Sequence, residues 1–196
     1  MIPYDNNATG FEQEGLEYIA SALLQSPSAQ YIEVLDLSAN DVEGEEGAQV
    51  VAALLRRLPR LRVVSLDDNE FGNKGARIIA KALEERTEDP EIEDTIERLR
   101  LNGIGMYSRG ALAVARAAAS MPNLQQLFID ENFISAGTVE TIESIIQEGA
   151  CSSDALQSLQ ENDEEAAEEE EELAEDDGEE VGLEWEPVEV PDNDDE

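Results

Sequence analysis

Apolar residues fall along this chain in blocks, and four blocks share one spacing, L-x-x-L-x-L-x-x-N-x-L. They are Ile32, Leu35, Leu37, Asn40 and Val42; Leu61, Val64, Leu66, Asn69 and Phe71; Ile96, Leu99, Leu101, Ile104 and Met106; and Leu124, Leu127, Ile129, Asn132 and Ile134. A degenerate copy with Met1, Tyr4 and Phe11 in register opens the chain. Alternation inside each block has a period of two, which predicts a short strand with its leucine-type residues on one face. Between blocks the period lengthens. Gly15-Leu16-Ile19-Ala20-Leu23, Gly75-Ala76-Ile79-Ala80-Leu83 and Gly110-Ala111-Ala113-Val114-Ala117 each read as one apolar stripe of a helix that starts on small residues.

The copies start at 1, 32, 61, 96 and 124, so they lie 31, 29, 35 and 28 residues apart. A strand followed by a full helix at this spacing is the signature of a leucine-rich repeat at the long end of its range, because one unit cannot bury its apolar face alone and must stack. The expected fold is therefore α/β: a leucine-rich-repeat solenoid over residues 1–150, a short right-handed horseshoe with parallel strands inside and helices outside. The asparagine ending each strand can bond backbone groups of the turn, so Asn40, Asn69 and Asn132 are expected to form a ladder that breaks where Ile104 stands. The 35-residue interval contains an insertion, EERTEDPEIEDT at 84–95, whose acids and Pro90 predict an acidic loop between repeats two and three.

Alternation also names the concave surface: Val34, Asp36 and Ser38; Val63, Ser65 and Asp67; Arg98, Arg100 and Asn102; Gln126, Phe128 and Asp130. Arg98 and Arg100, with Phe128 one repeat away, are the most partner-like set. Solvated solenoid faces also have mixed compositions, so the pattern alone leaves both readings open. Asp67, Asp68, Glu70, Asp130 and Glu131 lie at the strand ends beside this face and would suit a basic partner surface.

Charge sets the end of the folded region. All 12 basic residues lie between Arg56 and Arg116, whereas the last 46 residues hold 22 acids and no base. Residues 151–196 are thus expected to be a disordered acidic tail, since so charged a segment buries too little apolar surface to offset its ordering entropy. Within it, VGLEWEPVEVP carries the single tryptophan, Trp185, as a candidate docking segment. The net charge of −36 repels nucleic acid and anionic membranes and favours basic protein partners through the tail.

Catalytic chemistry finds little support. There is no histidine and one cysteine, Cys151, which removes Ser-His-Asp and Cys-His systems, His/Cys zinc sites and intrachain disulfides. Asp5 to Gly10 and Asp67 to Gly72 imitate the start of a calcium loop, but the twelfth position, which needs a bidentate Glu, is Leu16 or Ile78. No cofactor or metal is expected. The start, MIPYDNNATG, lacks the basic and apolar regions of a signal peptide, and no run approaches the ~20 apolar residues that span a bilayer. A soluble protein of the cytoplasm, with access to the nucleus or nuclear envelope, is the expectation.

The units LDLSANDVEGEEGAQVVAALL and VSLDDNEFGNKGARIIAKAL resemble ribonuclease-inhibitor-class repeats, and such repeats followed by an acidic tail resemble the Ran GTPase-activating proteins. The resemblance implies docking on a small GTPase of the Ran kind. It supplies no arginine finger and places an asparagine near the GTPase's own glutamine. Asn69, in LDDN ahead of the insertion, is the residue that matches, and Asn40 is a weaker one. This chain has Asp67 and Asp68 where the family motif is richer in asparagine, and it has fewer repeats than typical members. Two other readings stay open: a non-catalytic scaffold, and an acidic chaperone of basic proteins such as histones.

Overall fold

Residues 13–90, 92, 95–162 and 185–188 are described by the computed structural model. The opening copy with Met1, Tyr4 and Phe11, the first calcium-like stretch and most of the tail lie outside the described residues. Strands and helices alternate: α1 (Gln13–Gln25), β1 (Val34–Asp36), α2 (Gly44–Arg57), β2 (Val63–Ser65), α3 (Gly72–Glu88), β3 (Arg98–Arg100), α4 (Ser108–Ala119), β4 (Gln126–Phe128) and α5 (Ala136–Glu148). A one-turn 3-10 helix, Pro27–Tyr31, joins α1 to β1. The strands form one parallel sheet in the order β1-β2-β3-β4, with Leu35, Val64, Leu99 and Leu127 aligned in its central row. This is the leucine-rich-repeat solenoid that the pattern predicts.

The strands are short because pairing is needed only where alternation holds. The central leucine-type residues point inward and are buried, together with Leu66, Leu101 and Ile129 two positions on. Helices close the other side with alanine-rich faces; α2 buries a continuous run from Gly47 to Leu55. Small residues let neighbouring helices approach. At Gly110 an added Cβ would lie 2.6 Å from Asn73 Oδ1 and 3.1 Å from the Ala76 Cβ, so a larger residue would displace the Asn73 side chain that accepts from Gly110 N–H and press on α3.

The insertion departs from expectation. Residues 84–88 continue α3, which ends at Asp89. The cause is Arg86, a charged residue only 1 % exposed. Its guanidinium donates to the carbonyls of Leu55 and Leu58, each at 2.8 Å, and of Pro59 at 3.1 Å. These are carbonyls left over at the C-terminal end of α2, where a cation also complements the helix dipole. Arg86 therefore fastens α3 to the preceding repeat, and the acidic loop is confined to residues after the helix.

Packing also runs past the boundary expected at 150. Ala150 N–H donates to Ala119 O, Ser152 N–H to Leu124 O and Gln157 N–H to Leu127 O, while Ala155 O accepts from Leu127 N–H. Leu156 makes a parallel bridge to Leu127 on the open edge of β4, and Cys151 and Ala155 are buried. Residues 150–162 thus form a terminal half-repeat. An exposed parallel edge leaves a row of unpaired N–H and C=O groups, and this segment satisfies them despite its acidic surroundings. A second piece of the expected tail, 185–188, also lies against the folded region.

Candidate functional site

Each turn after a strand is shaped by one asparagine where the repeat supplies it. Asn69 is 2 % exposed. Its Oδ1 accepts from the N–H of Asn40 (3.4 Å) and Val42 (3.0 Å), and its Nδ2 donates to the carbonyls of Leu37, Leu66 and Asp67. Asn132 repeats this arrangement two joints further, accepting from Ile104 and Met106 and donating to Leu101, Ile129 and Asp130. Asn40, also buried, donates to Ser38 O. Asn162 extends the series into the terminal half-repeat by accepting from Asn132 N–H at 3.0 Å. Both ends of the Asn69 amide are engaged inside the protein.

Between turns two and three stands Ile104, fully buried and without a polar group. That joint is held by Asp68 N–H to Asn102 O and Gly72 N–H to Ile104 O, and by Asp67. The Asp67 carboxylate accepts from Asn102 N–H at 2.8 Å and from Arg100 Nε at 2.5 Å. Asp67 is 6 % exposed and Ser65 is 5 % exposed, with Ser65 Oγ paired to Ser38 Oγ at 2.9 Å. Both were expected on the open concave face. Neighbouring turns cover them, and Asp67 orders Arg100 from below instead of offering its charge to a partner.

The remaining concave residues form a compact patch. Arg100 lies over the Phe128 ring, 4.7 Å from guanidinium carbon to ring centroid, an arrangement worth about 0.5–1 kcal/mol at an exposed site. Arg98, exposed, donates from Nε to Gln126 Oε1 at 2.6 Å. Held by Asp67 and Phe128, the Arg100 guanidinium loses little side-chain entropy when a partner arrives. Asp68, Glu70 and Glu131 are exposed on the loops beside it. Asp130 has a different duty: its Oδ1 accepts from Glu131 N–H, Glu161 N–H and Asn162 Nδ2, which secures the terminal half-repeat.

Two aromatic residues went unread in the sequence. Tyr107 and Phe133 face each other across an isolated parallel bridge and stack with centroids 4.8 Å apart. The signal was positional: Glu43 and Glu70 form the same bridge two joints earlier. The loop edge therefore changes along the stack from acidic to aromatic. Elsewhere, a groove of about 630 Å³ lies between α5 and the terminal segment, lined by residues including Val139, Ile146, Leu156 and Leu159. It belongs to the end of the stack and takes no part in the Arg100 patch. Among the described residues no group of three or more His, Cys, Asp or Glu is placed to hold a metal ion.

Repeats, ladder and a concave patch define a leucine-rich-repeat solenoid of the strand-and-long-helix kind. The chain is similar to "RAN GTPase-activating protein 2" of Arabidopsis thaliana, 30% identical over 152 residues that make up 78% of this chain and 26% of that protein. It is also similar to "Ribonuclease inhibitor" of Sus scrofa, 28% identical over 134 residues, 68% of this chain and 28% of that one. The chain thus spans about a quarter of the length of these relatives. Among solved structures, "Leiomodin-1 Actin-Binding Site 2 (ABS2)" superposes with a TM-score of 0.56 at 19% identity, over 73% of this chain and 76% of that one, a likeness of fold. No protein-family model matches the chain.

Proposed function

We propose that the protein is a docking module that engages a small GTPase of the Ran kind through the patch of Arg98, Arg100 and Phe128. The observation that carries this reading is the similarity to RAN GTPase-activating protein 2 across 78% of the chain. The geometry adds a preordered arginine, one of the residue types enriched at binding hot spots, beside an aromatic ring. Exposed acids at Asp68, Glu70 and Glu131 speed encounter with a basic surface on the partner. Any acceleration of hydrolysis arises from positioning the GTPase's own glutamine and water by contact, with Asn69 held inside the turn.

The burial of Asn69 favours a second reading, a binding scaffold with no effect on hydrolysis. Titration against GTP-loaded Ran, with single-turnover hydrolysis followed in parallel, separates the two. Changing Arg98, Arg100 and Phe128 to Ala is expected to weaken binding roughly 30-fold or more, chiefly through faster dissociation. Binding without faster hydrolysis selects the scaffold. Undiminished binding by the triple variant removes the concave patch from the proposal, and loss of binding on tail deletion alone favours a chaperone of basic proteins.

A further inference from the structure

The acidic C-terminal segment touches the folded region at the opposite end from where it leaves. It departs after Asn162, beyond β4, yet Trp185 to Val188 lie against α1 in the first described repeat. Val188 N–H donates to Ser21 Oγ at 3.0 Å, and Val188 O accepts from Gln25 Nε2 at 3.1 Å. Ser21 and Gln25 stand four residues apart and so share one face of α1. Both backbone groups of one residue are met by one helix face, which fixes the register of the segment.

Burial gives the contact direction. Ser21 is fully buried, and a buried hydroxyl on a helix face needs a partner; Val188 N–H provides it. Trp185 packs, partly buried, against the apolar core, whereas Glu186 between it and Pro187 is exposed. Pro187 fixes its own φ and lowers the entropy lost on docking. Tyr18, one turn before Ser21 on the same stripe, is 54 % exposed and continues the apolar surface.

Reach and charge are both compatible with closure within one chain. From Asn162 to Trp185 there are 23 steps, which can extend to roughly 80 Å. Five helices side by side at about 10 Å cover only about 40 Å. A tether of this size supplies an effective concentration near the millimolar range, so a contact of modest intrinsic affinity stays closed. The site itself is not basic: α1 carries Glu14 and Glu17 and no Lys or Arg, and it receives an acidic segment.

We propose that α1 is a docking site for a short peptide of the form Trp-acidic-Pro-apolar, occupied by the chain's own residues 185–188. Docking holds Trp185 and Val188 against α1 within the same chain. A partner peptide of the same form would compete with Trp185 for α1. Because like charges meet at this contact, added salt tightens it, the reverse of the response expected for capture of a basic partner.

Trp185 is the single tryptophan, so its fluorescence reports docking directly in the full chain. The expected result is a blue-shifted emission with weak quenching by acrylamide, sharpened by added sodium chloride. Val188→Pro, which removes the donated N–H, and Gln25→Ala, which removes the donor to Val188 O, should each shift the emission red and raise quenching severalfold, with unchanged far-ultraviolet circular dichroism. A red, freely quenched Trp185 in the unaltered, folded chain overturns the proposal, as does indifference to both substitutions. Dependence of the emission on protein concentration overturns closure within one chain and assigns the contact to pairs of chains.

Discussion

The joint between turns one and two and the joint between turns three and four share a backbone, yet they present different chemistry to solvent. Asn69 and Asn132 make corresponding sets of five hydrogen bonds, and each joint carries one isolated bridge on the loop edge. At the first joint that bridge pairs Glu43 with Glu70; at the last it pairs Tyr107 with Phe133. The middle joint has Ile104 in place of a ladder asparagine, and there the carboxylate of Asp67 takes over, reaching the next turn's backbone and Arg100 together. Structural repetition thus frees some positions to vary, and the one interruption of the ladder is where the concave patch is built.

The largest expected effect belongs to the fastening that Arg86 of α3 makes to the end of α2. Arg86→Ala leaves three carbonyls at the end of α2 without their cation, and hydrogen bonds to a charged group contribute about 1.5–3 kcal/mol each net of the water contacts they replace. A loss of about 3 kcal/mol or more in a urea melt is expected. A loss below about 1 kcal/mol would show that water replaces the guanidinium without difficulty.

Next come the two asparagines. Asn69→Ala and Asn132→Ala each strand two N–H donors and three carbonyls, at an expected cost of roughly 2–4 kcal/mol. Matching geometry requires matching losses, so the sharper observable is their difference. If the two melts diverge strongly, the joints are not equivalent and the comparison fails. Asp67→Ala removes one backbone contact and one cation contact at the middle joint, and about 1–2 kcal/mol is expected, together with weaker binding as Arg100 loses its support.

A smaller, pH-dependent effect marks the end of the stack. Burial pushes the Cys151 thiol pKa above its ordinary value. A folded-state pKa above the unfolded one gives stability that is complete below the ordinary thiol range and declines as pH rises through that range toward the raised value. Thermal melts across mildly alkaline pH should show this decline, and Cys151→Ala should flatten it. Equal slopes in both proteins would place the alkaline loss elsewhere.

Strands were legible because a period of two and a recurrent asparagine are local facts: Val34–Asp36, Val63–Ser65, Arg98–Arg100 and Gln126–Phe128 follow from spacing alone. Arg86 was not legible, since a lone arginine among glutamates reads as surface until α2 ends beside it. Ser65 and Asp67 read as exposed because alternation assigns a face and cannot show that Ser38 and Arg100, from turns on either side, cover it. The terminal half-repeat did leave a trace in Leu156, Leu159 and Asn162, but its acidic neighbours outweighed that trace in composition. Nothing local ties Trp185 to α1, more than 150 residues away in sequence.

The smallest effect tests the turn itself. The residue before the ladder position adopts a left-handed backbone in every turn: Ala39 at φ 56°, Asp68 at φ 56°, Gly103 at φ 60° and Glu131 at φ 56°. Only the third turn, the one without an asparagine at its ladder position, has glycine there. A side chain in this region costs roughly 1–2 kcal/mol, which the surrounding hydrogen bonds must offset. In turns one, two and four the ladder asparagine or its acceptor groups enforce the conformation; in turn three glycine adopts it without that cost. Ala39→Gly should therefore stabilise the protein, but by less than the strain relieved, because glycine gives the unfolded chain about 0.5–1 kcal/mol more conformational freedom. The net gain expected is on the order of 0.5 kcal/mol, readable as a small rise in the urea midpoint at unchanged slope. The same substitution in an Asn69→Ala background sharpens the comparison: if the asparagine holds the strained residue in place, glycine should recover more stability there than in the unaltered chain. Equal gains in the two backgrounds would mean that the left-handed turn and the ladder are independent features of the repeat.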